Sequence, residues 1–75
     1  MELGEVIRKA LREAREEAGL SQGDVAEQYG CSTQFISKLE TQSNDLSMSI
    51  LLKLTEIYEL SPQGLIEQIL NNLKL

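Results

Sequence analysis

The chain has 75 residues and a formal net charge of −5 at pH 7, and it contains one cysteine, Cys31, and no histidine. At this length we expect one domain, 1–75, and with a single thiol and no imidazole we expect no disulfide, metal site, cofactor or enzymatic activity. No apolar run approaches the roughly 20 residues of a membrane span or a signal-peptide core, which predicts a cytoplasmic protein without a membrane partner.

The first predicted element is an amphipathic helix from Gly4 to Ala18. Apolar residues recur there at three- and four-residue steps, and charged residues fill the other positions. The apolar stripe consists of Ile7, Ala10, Leu11, Ala14 and Ala18. Gly19 follows where a residue in the left-handed conformation commonly ends a helix, so we expect a turn at this point.

Two short helices are predicted next. Ser21 opens a variant capping box, SQGD, and starts a second helix that runs to about Tyr29. Gly30 tolerates a positive φ in the turn, and Ser32 caps a third helix over Thr33–Thr41. Two short helices joined by a glycine turn are typical of the helix-turn-helix unit, whose second helix lies in the major groove of DNA.

Two further helices are predicted after the polar loop QSND. Ser47 can cap a fourth helix, and Ser61 with Pro62 forms the N-cap and N1 pair that opens a fifth. Their apolar residues are Ile50, Leu51, Leu54, Ile57 and Tyr58 in the fourth helix, and Leu65, Ile66, Ile69, Leu70 and Leu73 in the fifth. No strand alternation or repeat is present in the sequence, so the predicted fold is all-α with five helices.

Residue identities add a resemblance to a known family. LSQGDVA at Leu20–Ala26, Gly30, Ser32 and ISKLE at Ile36–Glu40 resemble the Xre/Cro family of lambda-repressor-like transcriptional regulators. SMSILLKLTEIYELSPQGLI at Ser47–Ile66 is similar to that family's fourth and fifth helices, so the resemblance covers nearly the whole chain. It implies a five-helix DNA-binding domain with the helix-turn-helix in helices two and three. It also implies a dimeric repressor that binds an inverted-repeat operator in double-stranded DNA through helix three.

The third helix carries the candidate base contacts. Helical periodicity turns Ile36 and Leu39 inward with Cys31 and leaves four polar residues outward. These residues are Thr33, Gln34, Ser37 and Lys38. Gln34 can pair bidentately with adenine, Lys38 can approach guanine, and the methyl group of Thr33 can meet a thymine methyl. Helices on the surface of any globular protein have a polar outer face, so polarity alone does not indicate base contacts. The family resemblance favours them.

Contacts to the DNA backbone are expected around the start of helix two. The resemblance implies that Gln22 touches a phosphate and braces the recognition helix. Neutral side chains can add hydrogen bonds to the backbone, from Ser21, Ser32, Thr41, Gln42, Ser43 and Asn44. The alternative for Ser21 is plain N-capping, and the alternative for Ser43 and Asn44 is an ordinary loop role. The family's usual arginine and glycine after the glutamate are replaced here by Thr41 and Gln42.

Two structural roles are also predicted. The resemblance implies a salt bridge between Arg15 and Glu40 that fastens the first helix to the third. The fifth helix has a wide apolar stripe, and once Leu65 has entered the core, the outer residues predict a homodimer interface. That interface comprises Ile66, Ile69, Leu70 and Leu73, with Ile69 and Leu73 expected to be its best candidates. A fifth helix wholly absorbed by its own core is the alternative.

The net charge favours a second function. Lys and Arg supply non-specific DNA affinity, and Arg8, Lys9 and Arg12 have acidic neighbours at helical spacing, which favours a salt-bridged solvent face. The alternative is therefore an antirepressor or adaptor that uses the repressor-like fold to grip another regulatory protein. A neutral-to-positive face around Thr33–Lys38 favours DNA, whereas an acidic face favours a protein partner.

Overall fold

The computed structural model describes residues 2–42 and 47–73, and these ranges contain five helices. They are α1 (Leu3–Glu17), α2 (Gln22–Tyr29), α3 (Thr33–Thr41), α4 (Met48–Ile57) and α5 (Pro62–Asn72). The prediction of an all-α fold with five helices is confirmed, and the predicted ends lie within about one residue of the observed ones. Ser43 and Asn44 lie outside the described residues, so their predicted backbone contacts stay predictions.

Serine side chains begin α2, α3, α4 and α5. The Ser21 hydroxyl oxygen accepts a hydrogen bond from the Asp24 backbone N–H (3.0 Å), and the Asp24 carboxylate accepts one from the Ser21 N–H (2.9 Å). The bond from the Ser21 N–H to the carboxylate lowers the pKa of Asp24, and the Ser21 side chain lowers it further, so this bond is lost when acid protonates the carboxylate. Ser32, Ser47 and Ser61 each accept from the backbone N–H three residues on. The helix starts are therefore set locally by the sequence.

The core is formed where α1 packs on α3 and α5 while α2 packs on α3 and α4. Its fully buried large side chains are Leu11, Ile36, Leu54, Val6 and Val25. The predicted stripe of α1 is wrong for Ala18, which is exposed, and it omits Val6, which is buried. Ile7 is half-buried and packs against the core, as predicted. Val6, Ala10 and Ala14 are spaced four residues apart, so the buried stripe is rotated slightly, and Ala18 lies beyond the end of the helix.

The fifth helix presents a different face to solvent from the one predicted. Leu65 is buried and Ile69 packs against the core, whereas Ile66 and Leu70 are 56% and 59% exposed. Leu73 is half-buried. Ile69, one of the two residues expected to be the best surface candidates, is therefore turned towards the core, whereas the expectation for Leu73 stays a prediction. The face of α5 that rests on α1 contains Leu65, Ile69 and Asn72, and the Asn72 side chain donates to Glu13 Oε1 (2.8 Å).

One helix end carries backbone strain. Glu59 follows the C-cap of α4 and has a φ of 54°, in the left-handed region that favours glycine. A side chain there costs about 1 kcal/mol, and a carboxylate beside a helix C-terminus is unfavourable as well. We expect Glu59→Gly to raise the free energy of unfolding by roughly 0.5–1 kcal/mol in denaturant titrations. Glu56→Gly, inside α4, is the control and should lower it by about 1 kcal/mol. A loss of stability in Glu59→Gly contradicts the assignment of strain.

Candidate nucleic-acid interface

The first turns of α2 and α3 lie side by side. A Cβ atom at Gly23, in the first turn of α2, would be 3.9 Å from the hydroxyl oxygen of Thr33, the first residue of α3. The turn between the two helices passes through Gly30, whose φ is 87°. Since the first N–H groups of a helix have no acceptor within it, each helix start has a partial positive charge, and in the first turn of α2 the Asp24 carboxylate opposes it.

The outward face of α3 is neutral to positive. Thr33, Gln34 and Lys38 are exposed and Ser37 is half-buried, while Ile36 and Leu39 are buried as predicted. The acidic residue of this helix, Glu40, is turned inward and only 7% exposed. The face therefore presents hydrogen-bonding groups and one cation, the combination suited to base edges and phosphates.

An ion pair holds α3 against α1. Arg15 Nε donates to Glu40 Oε2 at 2.7 Å and Arg15 Nη2 donates to Oε1 at 3.1 Å, with 12% and 2% of the two side chains exposed. A third donor, Arg15 Nη1, reaches the Leu20 carbonyl oxygen at 2.8 Å. The hydrogen bond to Glu40 raises the pKa of Arg15, so the guanidinium stays charged. The bidentate geometry fixes both the distance and the orientation of α3.

Gln22 joins the same carboxylate. Its Nε2 donates to Glu40 Oε1 at 3.2 Å, so the amide connects the start of α2 to α3. This hydrogen bond provides the bracing that the resemblance implied. A glutamine amide has two N–H groups, and the second is available for a phosphate oxygen. The phosphate contact itself stays a prediction.

The other predicted backbone contacts differ in how well they are placed. Ser32 uses its oxygen as an N-cap and keeps a hydroxyl proton to donate, whereas the Ser21 hydroxyl, also an N-cap, interacts with the Asp24 carboxylate. Thr41 donates its hydroxyl proton to the Ser37 carbonyl oxygen at 2.7 Å. The hydroxyl can then only accept a further hydrogen bond, whereas a phosphate oxygen requires a donor. Gln42 is the exposed C-cap of α3.

Two aromatic residues pack against each other and against the core at the start of α3. The rings of Phe35 and Tyr29 lie 5.7 Å apart, and Lys53 of α4 places its Nζ 4.3 Å from the centre of the Tyr29 ring. Cys31 packs against the same core, and burial raises the pKa of its thiol. The thiol is therefore protonated near neutral pH. The Lys53–Tyr29 contact could not be predicted from the sequence, since the two residues are distant in sequence and share no motif.

The comparisons with known proteins agree with this geometry. Residues 11–65 match the sequence profile of the helix-turn-helix family. The HTH-type transcriptional regulator PrpR of Mycobacterium tuberculosis is 38% identical over 53 residues, which are 71% of this chain and 11% of that protein. The chain thus spans about a tenth of the length of this curated relative.

Solved structures extend the comparison to the whole fold. The trigonal crystal form of a point mutant of the restriction-modification controller protein C.Esp1396I has a TM-score of 0.91 at 25% identity, covering 96% of this chain and 97% of that one. Another point mutant of the same protein gives a TM-score of 0.86 at 26% identity over the same shares. The chain therefore belongs to the helix-turn-helix family, of the Xre and lambda-repressor type that its sequence resembles.

Proposed function

We propose that this chain is a transcriptional regulator that binds a specific operator in double-stranded DNA through α3. Its family is one of DNA-binding regulators and not of enzymes. The main support for the proposal is the neutral-to-positive charge of the outward face of α3. Lys38 lies on that face, whereas the carboxylate of Glu40 is buried against Arg15. A net charge of −5 favours the alternative, an antirepressor or adaptor, but Glu40, the acidic residue within α3, is turned away from this face.

The base contacts follow from placing α3 in the major groove. Gln34 pairs with adenine, Lys38 approaches guanine O6 and N7, and Thr33 meets a thymine methyl. Ser37 is half-buried, so its hydroxyl extends less far into the groove than the other three side chains. The starts of α2 and α3, with Gln22, Ser21 and Ser32, then approach the phosphates that border the groove.

A homodimer formed through α5 completes the proposal. The exposed side chains Ile66 and Leu70 are four residues apart and share one face of α5 with Leu73, which is half-buried. A two-fold dimer of such domains reads an inverted repeat with half-sites about 34–36 Å apart, one turn of the DNA helix. A bound dimer excludes other proteins from overlapping DNA, which is the action of a repressor.

The proposed location is the cytoplasm. In the two described segments of the chain, no helix has the length and apolar character that crossing a bilayer requires.

Selection from random duplexes at low salt tests the function. Against the selected operator, we expect Gln34→Ala to lose about 1–3 kcal/mol of binding free energy at one base pair and to relax the preference there. Gln22→Ala should weaken binding to all sequences alike, because it removes a backbone contact. Gel-shift titrations with operators carrying single base changes measure both effects.

Gln28→Ala is the matched control for these titrations. Gln28 is exposed on α2 beside Ala18, Ile57 and Glu59, away from α3, and its replacement should leave binding unchanged. If the selection enriches no duplex, the DNA-binding proposal is wrong and the protein-binding alternative takes its place.

A further inference from the structure

We propose that the depression where α1 and α4 end binds a lysine or arginine side chain of a partner protein. The depression has a volume of about 220 Å³, and its lining comes from the ends of α1 and α4 and from α2. The lining residues are Ala18, Leu20, Gln28, Ile57, Tyr58 and Glu59. None of these six residues belongs to α3, so the inference goes beyond the proposed function and does not depend on DNA binding.

Two helices end in the same backbone motif at this depression. In each, the N–H two residues after the C-cap, of Leu20 or of Leu60, donates to a carbonyl oxygen five residues earlier, at 3.2 Å and 2.9 Å respectively. The residue before this N–H has a positive φ, 75° at Gly19 and 54° at Glu59. This position suits glycine, and the chain places glycine at the end of α1 but glutamate at the end of α4.

The fold does not use the carboxylate of Glu59. This side chain is exposed, and within residues 2–42 and 47–73 no hydrogen bond or ion pair holds it. The left-handed backbone of Glu59 and its position at a helix C-terminus are both unfavourable. Because residues in such conformations are concentrated at functional sites, we assign the Glu59 carboxylate to a contact outside the chain.

The charge at the depression is negative. The two helix C-termini have partial negative charges, and Glu59 adds a full one. A neighbouring depression on α2 shares two of the lining residues and adds the carboxylates of Asp24 and Glu27. In the part of the chain that the structure describes, no lysine or arginine lines either depression. Arg15, which reaches the Leu20 carbonyl oxygen, is already paired with a buried carboxylate.

The size and the apolar lining of the depression favour a long cationic side chain. Sites for small molecules have volumes of about 300–1,000 Å³, so this depression is too small for a typical cofactor. Leu20 and Ile57 are half-buried and provide apolar surface beside the Glu59 carboxylate. Lysine and arginine lay their aliphatic stems on such a surface and direct the charged group to a polar partner. The side-chain oxygen of Gln28 can accept a hydrogen bond from the same cation.

Selection from a random-peptide phage library tests the inference. The chain is the bait, and peptides that bind the Glu59→Gln variant equally well are removed by counter-selection. We expect the remaining peptides to share a lysine or arginine next to an apolar residue. In fluorescence anisotropy, Glu59→Gln should raise the dissociation constant of such a peptide at least roughly 10-fold, the effect of losing one hydrogen bond between charged groups.

Glu67→Gln is the matched control. Glu67 is exposed in the depression between α1 and α5, so this variant removes the same charge from another surface and should leave peptide binding unchanged. Glu59→Gly separates a loss of binding from a loss of structure, because it is expected to stabilise the fold while it weakens the peptide complex. Unchanged peptide binding in Glu59→Gly overturns the inference.

Three other outcomes also overturn it. The first is that no peptide remains after the counter-selection, and the second is that the remaining peptides share no lysine or arginine. The third is equal weakening by Glu67→Gln and Glu59→Gln, because net charge then explains the effect.

Discussion

Replacement of Arg15 by methionine is expected to lower the free energy of unfolding by about 3–5 kcal/mol. The substitution leaves the Glu40 carboxylate, with 2% of its side chain exposed, without the guanidinium that donates two hydrogen bonds to it. It also removes the donor to the Leu20 carbonyl oxygen. Since small domains are stable by about 5–15 kcal/mol, the variant is expected to be close to unfolding at room temperature.

Urea titration followed by circular dichroism measures this loss. Arg12→Met on the same helix is the matched control, and it should change the free energy of unfolding by less than about 1 kcal/mol because its pair with Glu16 is exposed. The double variant Arg15→Met with Glu40→Leu should recover part of the stability, since no buried charge then lacks a partner. Equal losses from Arg15→Met and Arg12→Met rule out a structural role for the buried pair.

Replacement of Leu70 by aspartate is expected to raise the dissociation constant of the proposed homodimer at least roughly 100-fold, which corresponds to about 2.7 kcal/mol. By two-fold symmetry the substitution places two carboxylates in an interface that otherwise covers Ile66 and Leu70. Each charge loses hydration there without gaining a partner. Sedimentation equilibrium measures the constant, and operator affinity should fall with it.

Leu3→Asp is the control for the dimer experiment. Leu3 is 57% exposed, close to the 59% of Leu70, so the same substitution is made at an equally exposed leucine of α1. It should leave the dimer intact. A parent chain that sediments as a monomer at high concentration contradicts the α5 interface, as does equal dissociation by both variants.

The helix ends could be predicted because their causes are local. Each of Ser21, Ser32, Ser47 and Ser61 caps a helix through a hydrogen bond to an N–H three residues away, and such a signal is contained within four letters of sequence. The inward positions of Ile36 and Leu39 likewise follow from the period of a single helix. The Arg15–Glu40 pair spans 25 residues and was expected only through the family resemblance.

Which faces of α1 and α5 are buried could not be predicted in the same way. Whether Val6 or Ile7 is buried, and whether Ile69 or Leu70 is exposed, depends on the rotation of one helix against another. A wide apolar stripe is compatible with several rotations, and only the packing of all helices selects one. The left-handed conformation of Glu59 also has no signal in the sequence, because glutamate rarely adopts it.

The carboxylate of Glu40 accepts hydrogen bonds from both Arg15 and Gln22, and thus joins three helices on the side of α3 that faces away from Thr33, Gln34 and Lys38. The contacts that attach α3 and the proposed contacts to bases consequently lie on opposite sides of one short helix. Substitutions on the reading side break none of these hydrogen bonds, so they change stability little. Under the proposed function, relatives of this chain can therefore acquire a new operator preference through one or two substitutions in α3 while the fold is inherited unchanged.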